Sequence, residues 1–364
     1  MKLLFMLLTV VILPDLTIAQ MEGDQWVIGY WGLNKPAYGI MYIDFNSSNP
    51  LITLKSEFKM EIFETASNIC SNVGEPLLWT NGMQIMDNLG DLIADTIAYD
   101  GVGGYWDYFY VNSPSYNMPF GFPLHDGSLI LPLPEHNGEY SVIYHYSESN
   151  PIFIFSVTKF LEARVVLNQD SGFLLRYKDL SIGPRIENYT GTMSASRHAN
   201  GRDWWVESFK GDSPDYYTYL LDPNGIHFDH IGSVDSVVKE GLGQAVFSPL
   251  GNYLARMDAI SQNAGAFITL YQFDRCTGDF QRVSTFHTSE GLFAGVAFSP
   301  SEQFLYADDN THVGQWDLRS VDIEASQVLV DTFDGFSQPN WGPMRFGPLV
   351  NAPDGRIYIV PSAG

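Results

Sequence analysis

The chain has 364 residues, of which 45% are hydrophobic and 14% are aromatic, and it contains 33 glycines and 20 prolines. This hydrophobic content supports a sizeable folded core, and many rings together with many turn formers favour short strands joined by tight turns. The formal net charge is −23 at pH 7. Such an acidic surface excludes nucleic acid as a partner and repels anionic membranes.

Residues 1–20 have the pattern of a secretory signal peptide. Lys2 precedes an apolar run from Leu3 to Leu13, and small residues lead to a cleavage site expected near Ala19. The apolar run is too short to span a bilayer, and no other stretch approaches about 18 apolar residues. We therefore predict a secreted or cell-surface protein without membrane insertion, in which residues 21–364 form a single domain.

A strand–turn–strand unit recurs along the rest of the chain. The segments "GQAVFSPLGNYLA" (243–255), "GVAFSPSEQFLYA" (295–307) and "LVNAPDGRIYIV" (349–360) share a Pro-centred turn between two apolar strands. Three earlier units of the same kind have their turns at Gly74, Gly138 and Gly201. Six units are visible, at intervals of about 50 to 64 residues.

Each unit continues with a second turn and another apolar strand, as in Asp222–Gly225 and Cys276–Asp279. Asn-Gly and Asp-Gly pairs supply the positive φ angles that tight hairpins need, and the strands between them alternate apolar with polar residues. Four short strands in each unit predict an all-β fold, a β-propeller of four-stranded blades. Six blade-like units are visible, and we expect seven blades in the full protein.

The stretch 287–318 resembles a WD40 repeat. It has His287 near its start, "VAFSP" in its first strand and the pair Trp316-Asp317 at its end, although Phe286 occupies the position where such repeats usually have glycine. The resemblance implies that His287, a turn aspartate (Asp308 or Asp309) and Trp316 join the strands of one blade through hydrogen bonds. These residues are therefore predicted to be structural.

The whole series of motifs is similar to a group of secreted WD40-like propeller proteins of Gram-negative bacteria that are exported by a type IX secretion system. "PLLWTNG" (76–82), "RHANGRDWW" (197–205) and "FDRCTG" (273–278) carry the resemblance, which extends over residues 22–360. Members usually continue past "PDGRIYI" and commonly end in a sorting domain. The resemblance implies that the final blades and that domain are missing here, although N-terminal strands could complete a last blade.

The segment "RHANGRDWWV" (197–206) has the composition of an active site, because it places His198, Arg202 and Asp203 beside Trp204 and Trp205. Asn-Gly marks it as the first hairpin of a blade, and alternation would then send neighbouring side chains to opposite faces. We interpret His198, Asp203 and Trp204 as structural, with the polar groups bonding the turn and one tryptophan packing between blades.

A long insertion, about residues 88–128, is rich in aromatic residues that could stack on sugars or grip a peptide, and that could equally cover a blade. Its candidate ligand-binding residues are Tyr105, Trp106, Tyr108 and Tyr110. Neither a zinc nor a calcium pattern occurs, and the Gly-rich segments lack the features of a phosphate loop. We expect no metal and no cofactor.

Cys70 and Cys276 fall in units that are three places apart around the predicted ring. Two cysteines do not make a disulfide scaffold for a chain of this length, so we predict that both thiols are free. We also expect a monomer.

Two functions fit these observations. The first is a non-enzymatic module that binds an extracellular protein or glycan through the loops of a rigid ring. The second is an extracellular hydrolase or lyase in which carboxylates converge on the propeller channel. We favour the first because the sequence lacks recognisable catalytic motifs. The propeller fold itself is compatible with both functions. A cluster of carboxylates or histidines from three blades at one channel mouth would favour the second.

Overall fold

A computed structural model gives the fold of the chain. It describes residues 25–28, 40–46, 49–55, 65–72, 74–94, 126–148, 156–168, 172–182, 193–211, 213–238, 243–261, 265–288, 294–338 and 342–361, together with residues 60, 62 and 121. The signal peptide and the aromatic insertion residues Tyr105, Trp106, Tyr108 and Tyr110 lie outside these ranges. Within them the regular structure is strand apart from a 3₁₀ turn at Glu324–Ser326.

The described residues form a β-propeller, as the repeats predicted. Six blades are antiparallel sheets whose strands follow chain order from the channel outwards. Blade 1 has three strands and blade 2 has four: β1 (Gln25–Ile28), β2 (Ile40–Asp44), β3 (Leu51–Lys55); β4 (Ser67–Cys70), β5 (Pro76–Thr80), β6 (Ile85–Asp87), β7 (Leu92–Ala94).

Blades 3 and 4 contain the two longest described strands, of 12 and 14 residues. Their strands are β8 (Ser128–Pro132), β9 (Glu139–Glu148), β10 (Ser156–Leu167), β11 (Gly172–Asp179); β12 (Met193–Arg197), β13 (Trp204–Phe209), β14 (Ser213–Asp222), β15 (Gly225–Val238).

Blades 5 and 6 repeat the same order and contain the Pro-centred turns. Their strands are β16 (Ala245–Phe247), β17 (Tyr253–Ser261), β18 (Gly265–Asp274), β19 (Asp279–Thr288); β20 (Val296–Phe298), β21 (Phe304–Asp308), β22 (His312–Asp317), β23 (Val328–Thr332).

A two-stranded C-terminal hairpin follows blade 6. It consists of β26 (Leu349–Asn351) and β27 (Ile357–Ile359), and a short ladder of β24 (Ser337–Gln338) and β25 (Gly342–Pro343) precedes it. Strand β26 contacts β20, just as β20 contacts the first strand of blade 5. The hairpin therefore takes the place of the inner half of a further blade.

The turns predicted between the first and second strands of the blades have a backbone conformation that favours glycine. At five of them φ lies between 74° and 80°, a left-handed region that other residues rarely adopt: Gly74, Gly138, Gly201, Gly251 and Gly355. In blade 6 a glutamate, Glu302, takes this role at φ 55°. The spacing of turn residues thus located the hairpins correctly.

The core lies between blades and not within any one of them. Each strand sends alternate side chains to its two neighbouring blades, so separate apolar clusters fill the spaces around the ring. The ring closes where blade 1 meets the C-terminal hairpin, with Trp26 and Phe45 against Tyr358 at ring centroid distances of 5.6 Å. The N-terminal strands close the ring as a sheet of their own that packs against the hairpin.

The two ends of the propeller carry different loops. We call the end with the loops before each first strand the upper end, and it also carries the turns between second and third strands. The lower end carries the turns between first and second strands and between third and fourth strands. Among the described residues no helix has the length and apolar character needed to cross a membrane.

Candidate functional site: the channel mouth and the lower-end hairpins

The segment that resembles an active site is a lower-end hairpin of blade 4. The side chain of Asn200 accepts hydrogen bonds from the N–H groups of Arg202 and Asp203, both at 3.0 Å. His198 Nδ1 accepts the N–H of Asn200 at 3.0 Å. These bonds close an Asx-type turn around Gly201, so the polar side chains first of all form the hairpin.

Arg202 and Asp203 lie together, which differs from the expectation that neighbours point to opposite faces. Both precede β13 and belong to the turn, where strand alternation does not apply. The guanidinium donates to both carboxylate oxygens of Asp203, at 2.7 and 3.0 Å, and also to Glu135 in the matching turn of blade 3 at 2.9 Å. The pair therefore fastens two blades to each other.

The charge state of Asp203 fits that role. Hydrogen bonds from Arg202, opposed by partial desolvation, lower the pKa of Asp203 from its ordinary value. A carboxylate held ionised and occupied by a guanidinium is a poor general acid or base at neutral pH.

Trp204 and Trp205 pack into different spaces between blades. Trp204 belongs to the apolar cluster of blades 2, 3 and 4, with the Arg197 guanidinium 3.7 Å from its ring centroid. Trp205 belongs to the cluster shared with blade 5 and donates its Nε1–H to the carbonyl oxygen of Arg275 at 2.9 Å. Both tryptophans therefore join blades, whereas the sequence suggested this for only one.

The WD40-like network of blade 6 is not formed as its motif implied. Trp316 is buried and packs on Phe286, with ring centroids 5.1 Å apart. His287 is the next residue of β19, so it points away from Trp316, makes an edge contact with the ring of Phe267 and lies 3.4 Å from Glu324. The phase of the strand places Phe286, and not His287, against the tryptophan.

The aspartates of that motif bond backbone groups. Asp308 accepts the N–H groups of Gly295 at 2.7 Å and Asn310 at 2.8 Å. Asp309 accepts the N–H of His312 at 2.7 Å, and Asp317 accepts the N–H of Arg319 at 3.0 Å. Each carboxylate therefore orders a turn of blade 6.

A second group of polar residues, which was not predicted from the sequence, lies at the upper end. Asp126, just before β8, accepts the N–H of Ala245 in blade 5 at 3.0 Å, so it reaches past blade 4 across the channel mouth. Gln244 accepts the N–H of Val296 at 3.1 Å and donates to the carbonyl of Leu349 at 3.1 Å. These two side chains tie four parts of the ring together.

The electrostatics of this mouth differ from those of the lower-end turns. Burial raises the pKa of Asp126 to about 7, against the opposite effect of the Ala245 N–H. Burial likewise raises the pKa of Asp308 to about 7, although two backbone hydrogen bonds oppose it. Both carboxyl groups therefore have pKa values close to neutral pH, well above the ordinary value for aspartate.

No signal in the sequence identified the contact of Asp126 with Ala245, because "HDGSL" (125–129) has the composition of an ordinary turn before a strand. The partner of Asp126 lies 119 residues away, and only folding brings the two together. In the described part of the chain no three His, Cys, Asp or Glu residues are arranged to hold a metal ion.

Both cysteines are free, as predicted: Cys70 is buried in blade 2 and Cys276 is exposed at the lower end of blade 5.

Comparison with known proteins finds structures of similar fold but no family. No protein-family profile matches the sequence, and no curated protein matches it. Solved structures with a similar fold include a functionally unknown protein from Desulfotomaculum acetoxidans, with 12% identity, a TM-score of 0.45 and coverage of 92% of this chain and 85% of that one.

Two further similar structures belong to named proteins. The β-propeller domain of Cps50 (Swd1) from Myceliophteria thermophila has 10% identity and a TM-score of 0.45, covering 92% of this chain and 91% of that one. The periplasmic gluconolactonase PpgL of Pseudomonas aeruginosa has 11% identity and a TM-score of 0.43, covering 93% and 94%. At these values the likeness carries no argument about activity.

Proposed function

We propose that this chain is a secreted or cell-surface binding and scaffold module for an extracellular protein or glycan, and that it is exported by the type IX route. The signal-like residues 1–20 and the resemblance of its motifs to exported propellers support the proposed localisation and export route. The binding role is supported by one observation above all, the apolar side chains exposed along outer strands.

Three outer strands present these side chains to solvent. On β3, β11 and β23 they are, in order, Leu51, Ile52, Leu54; Phe173, Leu175, Tyr177; Val328, Leu329 and Val330. Runs of exposed apolar residues are unusual on a protein with a net charge of −23, and they commonly mark surfaces that bind other molecules. Aliphatic side chains predominate among them, which favours a protein partner over a glycan, since sugars are usually held by rings and polar groups.

The test is a binding screen of the purified protein against arrays of extracellular proteins and glycans. Matched variants Leu175→Asp and Leu329→Asp place a charge on two different outer strands without disturbing the core, because both side chains are exposed. We expect a partner whose affinity falls about tenfold in at least one variant, the loss of one well-buried aliphatic contact. Binding that neither variant changes would reject the outer strands as the contact surface.

The alternative of an extracellular hydrolase is favoured by Asp126, which bonds across the upper end to Ala245 and has a pKa of about 7, a value that suits proton transfer. Its test is a screen against lactones and extracellular polysaccharides, with Asp126→Asn as the matched variant. Turnover that Asp126→Asn abolishes, without loss of folding, would establish the enzyme and displace the binding proposal.

A further inference from the structure

We infer that Glu207 is a proton-binding site that controls the contact between blades 4 and 5: the two blades close on each other while its carboxyl holds a proton and part when that proton is lost. The site is independent of which partner the protein binds. Polar side chains cross blade 4 on the face towards blade 5, and we call them the polar row. Each strand contributes one of them, in register: Ser194, Glu207, Thr218 and His230.

The equivalent row of blade 5 is apolar. Met257 follows the turn glycine Gly251 at the same distance as Glu207 follows Gly201. The side chains of this row are in register on the second, third and fourth strands and are fully buried: Met257, Ile268 and Phe286. A contact between two blades at this level therefore needs no polar group, and the propeller architecture does not require the polar row of blade 4.

Glu207 lacks the partners that the other buried acids of the described residues have. It is 1% exposed, Thr218 Oγ1 donates to its Oε2 at 2.9 Å, and its Oε1 accepts no hydrogen bond. Each of the other acids receives a cation or a backbone N–H: Asp87, Glu162, Asp203, Asp258, Asp308 and Asp309. A buried carboxyl with a single hydroxyl donor is stable only in its neutral form, because the charged form would be neither paired nor solvated.

The charges at the outer end of the polar row also favour the proton. His230 lies between two carboxylates, 2.8 Å from Asp229 of its own blade and 3.4 Å from Asp279 of blade 5. Desolvation by burial raises the pKa of Glu207 well above its ordinary range. The hydrogen bond from Thr218 opposes this shift, and the charges of Asp279 and Asp229 add to it. Glu207 therefore holds a proton in the closed contact that it would lose in water.

The cation of blade 5 nearest to this level serves another acid. Arg256 on β17 lies over the ring of Phe209, with its guanidinium carbon 5.1 Å from the ring centroid, and pairs with Asp258 at 2.9 Å. Glu207 shares no ion pair with it. Tyr216, the titratable side chain beside the row on β14, accepts the N–H of Phe280 and stays neutral, because burial raises its pKa to about 12. Neither group compensates a charge on Glu207.

The turn between the third and fourth strands of blade 5 lies directly on the polar row. A Cβ atom added to Gly278 would lie 2.8 Å from Thr218 and 3.4 Å from His230. Beside this turn, the N–H of Phe280 donates to Tyr216 Oη at 3.1 Å and so joins the two blades. An ionised Glu207 requires water, and water reaches it when this turn moves away from blade 4. The surface that blades 4 and 5 present together at the lower end therefore depends on the proton.

Hydrogen exchange of the Phe280 amide tests the site, because this N–H joins the two blades. Its exchange rate in the intact protein is measured from about pH 5 to about pH 9 and divided by the rate of an unstructured chain at each pH. Protection of Phe280 should fall by about tenfold or more, since the stability that a raised pKa provides is lost as the pH rises towards the folded-state pKa. The Val296 amide, which donates to Gln244 between blades 5 and 6 at 3.1 Å, should keep its protection.

Glu207→Gln is the matched variant, because the carboxamide keeps the shape and the acceptor for Thr218 but has no proton to lose. Protection of Phe280 should then stay constant over the pH range. Glu207→Met, which copies Met257 of blade 5, should give the same constant profile and serves if the carboxamide impairs folding. His230→Gln removes the neighbouring imidazole and should leave the fall in place.

Constant protection of Phe280 in the wild type, or an equal fall at Val296, would overturn the site. A fall that persists in a folded Glu207→Gln or Glu207→Met protein would assign the titration to another group and would overturn it as well. A fall that His230→Gln abolishes would move the proton site from Glu207 to the imidazole, with the same consequence.

Discussion

The fourth strands of blades 5 and 6 are covered to different extents, although both blades have the same order of four strands. In blade 5 the row Met257–Ile268–Phe286 is fully buried out to the fourth strand, because blade 6 covers it. In blade 6 the fourth-strand residue Val328 is 56% exposed. The fourth-strand side chain of Phe286 is thus buried by the neighbouring blade and not by its own sheet.

The largest effect on stability is expected from removing the aromatic side chain of Phe286, which blade 6 covers. Phe286→Ala should destabilise the protein by about 3–5 kcal/mol, since the side chain is fully buried against Trp316 and a cavity would remain. Val328→Ala, at the uncovered fourth strand, should change stability by less than about 0.5 kcal/mol. Urea unfolding of both variants measures the contrast, and equal losses would mean that Val328 is covered in solution.

A smaller effect is expected at the lower end, where Asp203 and Arg202 fasten blade 4 to blade 3. Asp203→Asn should cost on the order of 1 kcal/mol at pH 7, because the charge-assisted bonds are partly exposed. The pKa of Asp203 is lowered in the folded protein, so its contribution is present above the ordinary value of 3.8 and is lost as the pH falls through the folded-state pKa.

The measurement for Asp203 is the difference in unfolding free energy between wild type and Asp203→Asn from pH 2 to pH 7. Arg202→Met serves as the matched variant, since it removes the same ion pair from the other side. A difference in unfolding free energy that stays constant down to pH 2 would contradict a stabilising ion pair between Asp203 and Arg202.

The upper end should show the opposite dependence on pH. Burial raises the pKa of Asp126 to about 7, so the folded state holds a proton that the unfolded chain has lost. Stability should therefore fall as the pH rises from about 4 to 7. Asp126→Asn keeps the acceptor for the Ala245 N–H and should flatten that part of the profile. An unchanged slope would show that Asp126 is ionised when folded.

The smallest effect on stability is expected from the two thiols. A thiol reagent added to the native protein should modify the exposed Cys276 and leave the buried Cys70 unreacted until unfolding. Modification of Cys276 should leave the unfolding transition within about 0.5 kcal/mol of its original position. Mass spectrometry after digestion reads out the sites, and a disulfide between Cys70 and Cys276 would contradict the blade order.

The sequence was sufficient for the hairpins because their turns are local. An Asn-Gly or Pro-centred turn needs its own few residues and nothing else, so Gly74, Gly138 and Gly201 fell where their spacing predicted. The prediction of a WD40-like network was wrong because neighbouring residues of a strand point to opposite faces, and the face towards Trp316 carries Phe286 instead of His287. Asp126 and Ala245 could not be paired in advance, since neither residue carries a local sign of a partner 119 residues away.

The closing contact of Trp26 with Tyr358 has a consequence for how the molecule reaches its native state. Trp26 is among the first described residues to be synthesised, and its partner follows about 330 residues later. Bringing such distant segments together carries a large loop entropy and favours slow folding. The face of blade 1 that carries Trp26 therefore stays without this partner until the C-terminal hairpin has formed.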